Sequence, residues 1–206
     1  MENINAEPSR VFFKKSRVNP CLNKICDNLP KKFHLWKSVD KKLSGQKKER
    51  MKTILILVGK TTDKHFQAGI SDYAERISHY IPFEIITIPE LKNTKSLSEQ
   101  QQKTMEGELI MKQLQPSDTV VLLDEHGKEM RSMEYAAWLQ RTANNARRLV
   151  FVIGGPYGFS PSVYERANDK ISLSRMTFSH QMVRLIFTEQ LYRACTIIKN
   201  EPYHHE

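Results

Sequence analysis

Three short apolar runs set the strictest limit on what this chain can become: Thr53-Ile54-Leu55-Ile56-Leu57-Val58, Thr119-Val120-Val121-Leu122-Leu123 and Leu149-Val150-Phe151-Val152-Ile153. Each is unbroken. A strand with one wet face alternates apolar and polar residues, so unbroken runs rich in β-branched residues require cover on both faces. Amphipathic stretches lie between the runs, and that alternation is the signature of an α/β domain with a largely parallel sheet. A further strand is expected over residues 83–88, closed by Pro89.

The helices are read from spacing and end signals. Phe66, Ile70, Tyr73, Ala74, Ile77, Tyr80 and Ile81 recur at helical intervals until Pro82 stops them. A weaker pattern with Met105, Leu109 and Leu114 covers residues 98–115, and Ser132 is the expected N-cap of a helix running through Trp138. Between them, residues 124–128 read as a polar loop. Ser160 followed by Pro161 reads as N-cap and first helical residue, since proline lacks only a donor that would be unpaired there. The last helix, residues 181–199, has an apolar stripe from Val183, Ile186, Phe187, Gln190, Leu191, Ala194, Ile197 and Ile198. Met182, Leu185 and Tyr192 add apolar surface on its other side. Two sticky sides call for two partners, the sheet and a second subunit.

Charge separates the chain into two parts. The net charge of +9 divides into +8 over residues 1–50 (13 Lys and Arg against 5 Asp and Glu) and +1 over residues 51–206 (19 against 18). Bulk basicity therefore says little about what the α/β region binds. Residues 1–50 show no sustained period and read as a basic, mostly disordered extension, or as a segment upstream of a translation start at Met51. No apolar run reaches the ~20 residues needed to cross a bilayer, and no secretory leader pattern stands at the N-terminus. With only three cysteines and no C-x-x-C pair, a disulfide framework and a zinc site are both unsupported, and a reducing, cytoplasmic setting is expected.

Two loops are candidates for chemistry. Ile153-Gly154-Gly155-Pro156-Tyr157-Gly158 follows a buried strand, where open α/β sheets bind ligands, although glycine and proline after a strand commonly only turn the chain. It is neither G-x-G-x-x-G nor a P-loop, so dinucleotide and nucleoside-triphosphate enzymes lose their best support. The second, Ser172-Leu173-Ser174-Arg175-Met176-Thr177-Phe178-Ser179-His180-Gln181, mixes hydroxyls with large apolar side chains, a composition suited to an adenine and equally to a helix N-terminus. Arg184, Arg193 and the terminal Tyr203-His204-His205-Glu206 complete the set, and no metal-ligand spacing or Gly-x-Ser-x-Gly elbow accompanies them.

Five motifs follow one another in order: Leu123-Asp124 with Gly127-Lys128; Phe151-Val152-Ile153-Gly154-Gly155 with Gly158; Ser172-Leu173-Ser174 with Met176-Thr177, His180-Gln181 and Arg184; Glu189-Gln190-Leu191-Tyr192-Arg193-Ala194; and Pro202-Tyr203-His204. In that order they resemble the RlmH family of SPOUT-class methyltransferases, and the resemblance spans residues 51–206. It implies a parallel sheet flanked by helices with a C-terminal deep trefoil knot, acting as a homodimer. It also implies S-adenosylmethionine as methyl donor, held by Leu123, Gly154, Leu173, Ser174, Arg175, Met176, Thr177 and Phe178. The implied acceptor is N3 of a pseudouridine in 23S-type ribosomal RNA, on the assembled ribosome, with Arg193, Tyr203 and His204 as catalytic candidates and no metal. His205 departs from the pattern, since many relatives carry Arg or Lys there. Two rival readings remain: an enzyme of the same fold acting on transfer RNA, and a non-catalytic knotted RNA-binding or ribosome-associated factor. Donor binding separates the last from the others.

Overall fold

The computed structural model describes residues 50–91 and 94–205; apart from Arg50, the basic segment 1–50 lies outside the described residues. Five strands, β1 (Lys52–Val58), β2 (Phe83–Ile88), β3 (Thr119–Glu129), β4 (Arg148–Ile153) and β5 (Asp169–Ser172), form one sheet in the order β2-β1-β4-β3-β5. Every pairing is parallel. Parallel neighbours need crossovers, supplied here by α1 (Lys64–Ser78), α2 (Glu99–Met111), α3 (Ser132–Asn145) and α4 (Pro161–Arg166), while α5 (Met182–Ile198) follows β5.

The unbroken runs are explained by two cores on opposite faces. Leu55, Leu57, Phe151 and Ile153 pack with Ile77 of α1, Leu139 of α3 and Phe187 and Leu191 of α5. Their immediate neighbours Ile54, Ile56, Val150 and Val152 point the other way, to Ile110 of α2 and Val163 of α4. Six consecutive residues of β1 are buried in consequence.

Four expectations are corrected. Residues 124–128 are not a free loop, because β3 continues to Glu129 across a register shift between Leu123 and Lys128, so that Lys128 and Glu129 pair with Ile171 and Ser172 of β5. Glycine is required at 127, where a Cβ would lie 2.5 Å from the Ile171 carbonyl carbon. β5 itself was not anticipated, being too short and too polar at its start to show a period. The N-cap of α3 is Arg131, not Ser132: the Glu134 carboxylate accepts from the Arg131 amide at 2.9 Å and places the helix start one residue earlier. In α2, Met105 is 41% exposed whereas Glu106, Gly107 and Ile110 are buried.

The last helix also finds its second neighbour within the chain. Leu185 lies against Gly69 of α1, where an added Cβ would stand 2.8 Å from Leu185 Cδ1. Tyr192 packs against Tyr73 and Tyr80, with centroids 5.8 and 6.0 Å away, beneath the Arg76 guanidinium. The residues of α5 that go fully under are Arg184, Phe187, Thr188, Leu191, Ala194, Cys195 and Thr196, while Val183, Ile186, Gln190 and Ile197 stay partly exposed. Simple apolar counting misplaces the stripe because Thr188 and Thr196 donate to carbonyls of their own helix and the two terminal nitrogens of Arg184 donate to Val58, Gly59 and Thr61. Among the described residues no helix is long and apolar enough to cross a membrane.

Candidate functional site

The bulge of β3 and the carboxyl ends of β4 and β5 open into one cleft of about 560 Å³. Its floor is apolar, from Leu123, Ile153, Phe159, Ile171 and Leu173, and its rim carries Lys103, Asp124, His126, Thr177 and His180. A volume of this order accommodates an adenosine-sized ligand. Parallel strands all end on the same side, so loops distant in sequence converge there by topology alone.

Seven of the eight expected donor-binding residues line this cleft: Leu123, Gly154, Leu173, Ser174, Met176, Thr177 and Phe178. Arg175 does not line it. Its side chain is 90% exposed and its Nε donates to Glu129 at 3.1 Å on the outside of the loop. The loop is shaped locally, with the Ser174 hydroxyl accepting from the Met176 amide and the Ser172 hydroxyl donating to the Ser174 carbonyl. Beyond it, Gln181 Oε1 accepts from the amides of Thr62 and Asp63, carrying the chain from the β5 edge back to the end of β1. Gly154 has no spare room on its inner side, since a Cβ would meet the Phe159 ring at 3.0 to 3.3 Å.

One pair in the cleft is not apparent from sequence. The Tyr164 hydroxyl donates to Asp124 Oδ2 at 2.5 Å, and the His126 amide donates to Asp124 Oδ1 at 2.8 Å. Burial by itself pushes the Asp124 carboxyl up, but these bonds and the neighbouring His126 outweigh it and hold the group below its usual range. Burial, with Asp124 adding to it, pushes the Tyr164 hydroxyl up to about 12. The two therefore stand as a carboxylate and a neutral phenol across the neutral range. Only the bulge of β3 and the start of α4 bring together residues forty positions apart.

Two of the three catalytic candidates, Arg193 and Tyr203, meet in a second cluster. Arg193 donates to Glu189 Oε1 at 2.6 Å, the Tyr203 hydroxyl donates to the same oxygen at 3.1 Å, and the Arg193 guanidinium lies 4.8 Å from the Tyr203 ring centroid. Tyr203 also packs edge-on against Tyr192 at 4.8 Å, and its hydroxyl lies 3.5 Å from that of Tyr73. Burial pushes the Tyr203 hydroxyl up, reinforced by Tyr73 and the Glu189 charge, so it stays protonated and donates to Glu189. His204 is partly buried next to this group and His205 is exposed. Glu189, quoted in the sequence motif without a role, is the acceptor that organises the cluster. None of these residues lines the cleft. Val183, which does, is ten positions before Arg193 on α5, or about 15 Å along the helix axis. Among the described residues no group of three or more His, Cys, Asp and Glu is placed to hold a metal ion.

Comparison with known proteins agrees with this architecture. Residues 51–204 match the family model described as "Predicted SPOUT methyltransferase". Proteins named ribosomal RNA large subunit methyltransferase H are similar over 157 residues, which is 76% of this chain and 100% of each relative. Identity is 63% for that of Bacteroides fragilis strain YCH46, 62% for that of Phocaeicola vulgatus and 56% for that of Porphyromonas gingivalis W83. Among solved structures, a probable methyltransferase from Bordetella pertussis Tohama I gives a TM-score of 0.43 at 13% identity, covering 70% of this chain and 95% of that one, a likeness too weak to bear on the fold. With three quarters of its length matched by the family model and relatives aligned end to end at such identity, the chain belongs to the SPOUT methyltransferase family, in the group of ribosomal RNA large subunit methyltransferases H.

Proposed function

We propose that the chain transfers a methyl group from S-adenosylmethionine to N3 of a pseudouridine in large-subunit ribosomal RNA. The observation that carries this reading is the cleft at the carboxyl edge, built from the bulge of β3 and the ends of β4 and β5 and lined by seven of the eight residues expected for the donor. The cleft fits such a ligand: its floor is apolar, backbone is exposed at Gly154 and Gly155, and Leu173, Thr177 and Phe178 can wrap a purine. When bound, the donor supplies a methyl group already activated by a cationic sulfur. The protein's own task is to orient the acceptor, exclude water and manage one proton.

An imide nitrogen is a weak nucleophile until it loses that proton, so a cation or base must stand near it. Arg193, held by Glu189, and Tyr203, a neutral donor, are suited to stabilise the charge left on the base. Since about 15 Å of helix separates Arg193 from the cleft of its own chain, the cluster is proposed to serve the cleft of a second subunit. The partly exposed Val183 and Ile186 and the exposed Met182 offer that subunit an apolar face. A homodimer, a knotted C-terminal path and a cytoplasmic location belong to the same reading.

Incubation with labelled donor and ribosomes, separate subunits or transfer RNA, followed by mapping of the modified nucleotide, tests the proposal. N3-methylpseudouridine in large-subunit RNA supports it. Label in transfer RNA alone, or no donor binding by calorimetry, overturns it in favour of one of the two rivals. Light scattering at micromolar concentration tests the dimer, a monomer being the contrary result.

Two substitutive tests bear on its parts. Gly154→Val presses a branched side chain against Phe159 and displaces the cleft floor, so donor affinity is expected to fall at least about tenfold in a folded protein. Unchanged affinity by calorimetry removes Gly154 from the donor site. Removal of residues 1–50 is expected to leave folding, dimerisation and donor binding intact, with at most a salt-sensitive loss of RNA affinity from the +8 charge. Aggregation of the shortened protein contradicts this.

A further inference from the structure

A groove of about 450 Å³ runs beside the donor cleft between the bulge of β3 and the start of β5, lined by His126, Gly127, Lys128, Tyr164, Ala167, Asn168, Asp169 and Lys170. His126 and Tyr164 belong to both concavities. The groove and the cleft therefore share a wall.

Its charge is arranged unevenly. Lys128 and Lys170 are exposed, and among the described residues neither ammonium is paired with a carboxylate. Lys170 Nζ lies over the Tyr164 ring, 5.4 Å from its centroid. The acidic groups nearby are engaged: Asp124 accepts from Tyr164, Glu125 sits 3.9 Å from His126 Nδ1, Glu129 binds Arg175, and Asp169, which lines the groove, accepts from the Lys170 amide. The groove thus presents two ammonium groups against one lining carboxylate, Asp169, while Asp124 and Glu125 stand on the side toward the cleft. This concentration stands out in a region, residues 51–206, whose net charge is only +1. Because β5 is the edge strand, nothing of the sheet lies beyond it to block a long ligand.

We propose that this groove is the track for the sugar-phosphate backbone of the RNA substrate, with Lys128 and Lys170 on phosphates adjacent to the target nucleotide. The inference rests on the RNA methyltransferase reading above and specifies which surface of the subunit meets the RNA. Lysine suits the task as a point charge on a flexible stem, since backbone contacts position a nucleic acid without reading its sequence. A strand lying here with its phosphates on the lysines has its bases within reach of the shared wall. One nucleotide turned out of the strand can then enter the cleft past His126 and Tyr164. The carboxylates at the cleft edge repel phosphate and so keep the backbone on the outer wall.

The test compares wild type with Lys128→Ala/Lys170→Ala and Lys128→Arg/Lys170→Arg, using ribosomes lacking the modification as substrate. For the alanine pair, KM for ribosomes should rise about tenfold with kcat within about twofold, and the dependence of log KM on log salt should become shallower by about 1.4, near 0.7 per phosphate contact on a single strand. The arginine pair should keep the wild-type slope. Donor affinity by calorimetry should be the same in all three, which also verifies that the variants are folded; each single alanine variant should lose about half of the slope change. An alanine pair with wild-type KM and salt slope, a loss confined to kcat, or an arginine pair as impaired as the alanine pair overturns the groove assignment. Failure of the wild type to methylate ribosomes overturns the RNA methyltransferase reading instead, so the two failures are distinguishable.

Discussion

Removal of residues 203–206 is expected to abolish methyl transfer to unmodified ribosomes while donor affinity changes by no more than a few fold. Tyr203 contributes a hydroxyl to Glu189 and a ring beneath Arg193, and none of these groups lines the donor cleft of its own chain. Loss of the tail therefore leaves the donor site built but deprives the acceptor of its polar surroundings. Arg193→Ala should act similarly, lowering kcat by about 100-fold or more, because a preorganised cation near developing negative charge is worth several kcal/mol in a site shielded from water. Donor calorimetry paired with single-turnover methyl transfer separates the outcomes. Wild-type turnover without the tail would make it a mere terminus. Loss of donor binding would make it a structural wall of the cleft and shift the search for the base to His180 or Asp124.

The second large effect concerns stability. Arg184 is 1% exposed and donates to the Val58 carbonyl at 2.6 Å, the Gly59 carbonyl at 3.0 Å and the Thr61 hydroxyl at 2.9 Å. It fastens the start of α5 to the end of β1, and so holds in place the crossing segment that forms one side of the cleft. Burial pulls the Arg184 pKa down and the nearby Glu90 charge opposes that pull. Arg184→Met keeps most of the stem but leaves two buried carbonyls without donors, each worth roughly 1–3 kcal/mol. A loss of about 3 kcal/mol, or roughly 6–12 °C of Tm, is expected by calorimetry. A shift under about 2 °C would mean that water or a neighbouring donor replaces the guanidinium at little cost.

Arg184 also illustrates what pattern reading misses. On a helical wheel it counts as a polar residue and suggests a wet face, yet it occupies the buried stripe because backbone carbonyls at a strand end accept from its two terminal nitrogens. Leu185 and Tyr192 counted as surplus apolar surface, although α1 covers both. Periodicity reports which residues avoid water; it does not report which neighbour excludes the water.

The sequence by itself determined the parallel α/β architecture, because unbroken β-branched runs alternate with amphipathic helical stretches and the glycine and proline positions punctuate them. It also determined the glycine loop and the 172–181 segment as candidates, and their joint order carried the family resemblance. Tertiary structure decided the rest. β5 exists only because β3 offers it an edge, and the bulge at residues 124–127 follows from that pairing. The Asp124–Tyr164 bond joins residues forty apart, and the groove with Lys128 and Lys170 is visible only once both strands are in register. The separation of the cleft from the Arg193–Tyr203 cluster depends on the length of α5 and on Tyr192 being held by α1. Local spacing encodes which face of an element is apolar, whereas the meeting of distant polar groups depends on strand order and crossover path, which no local pattern contains.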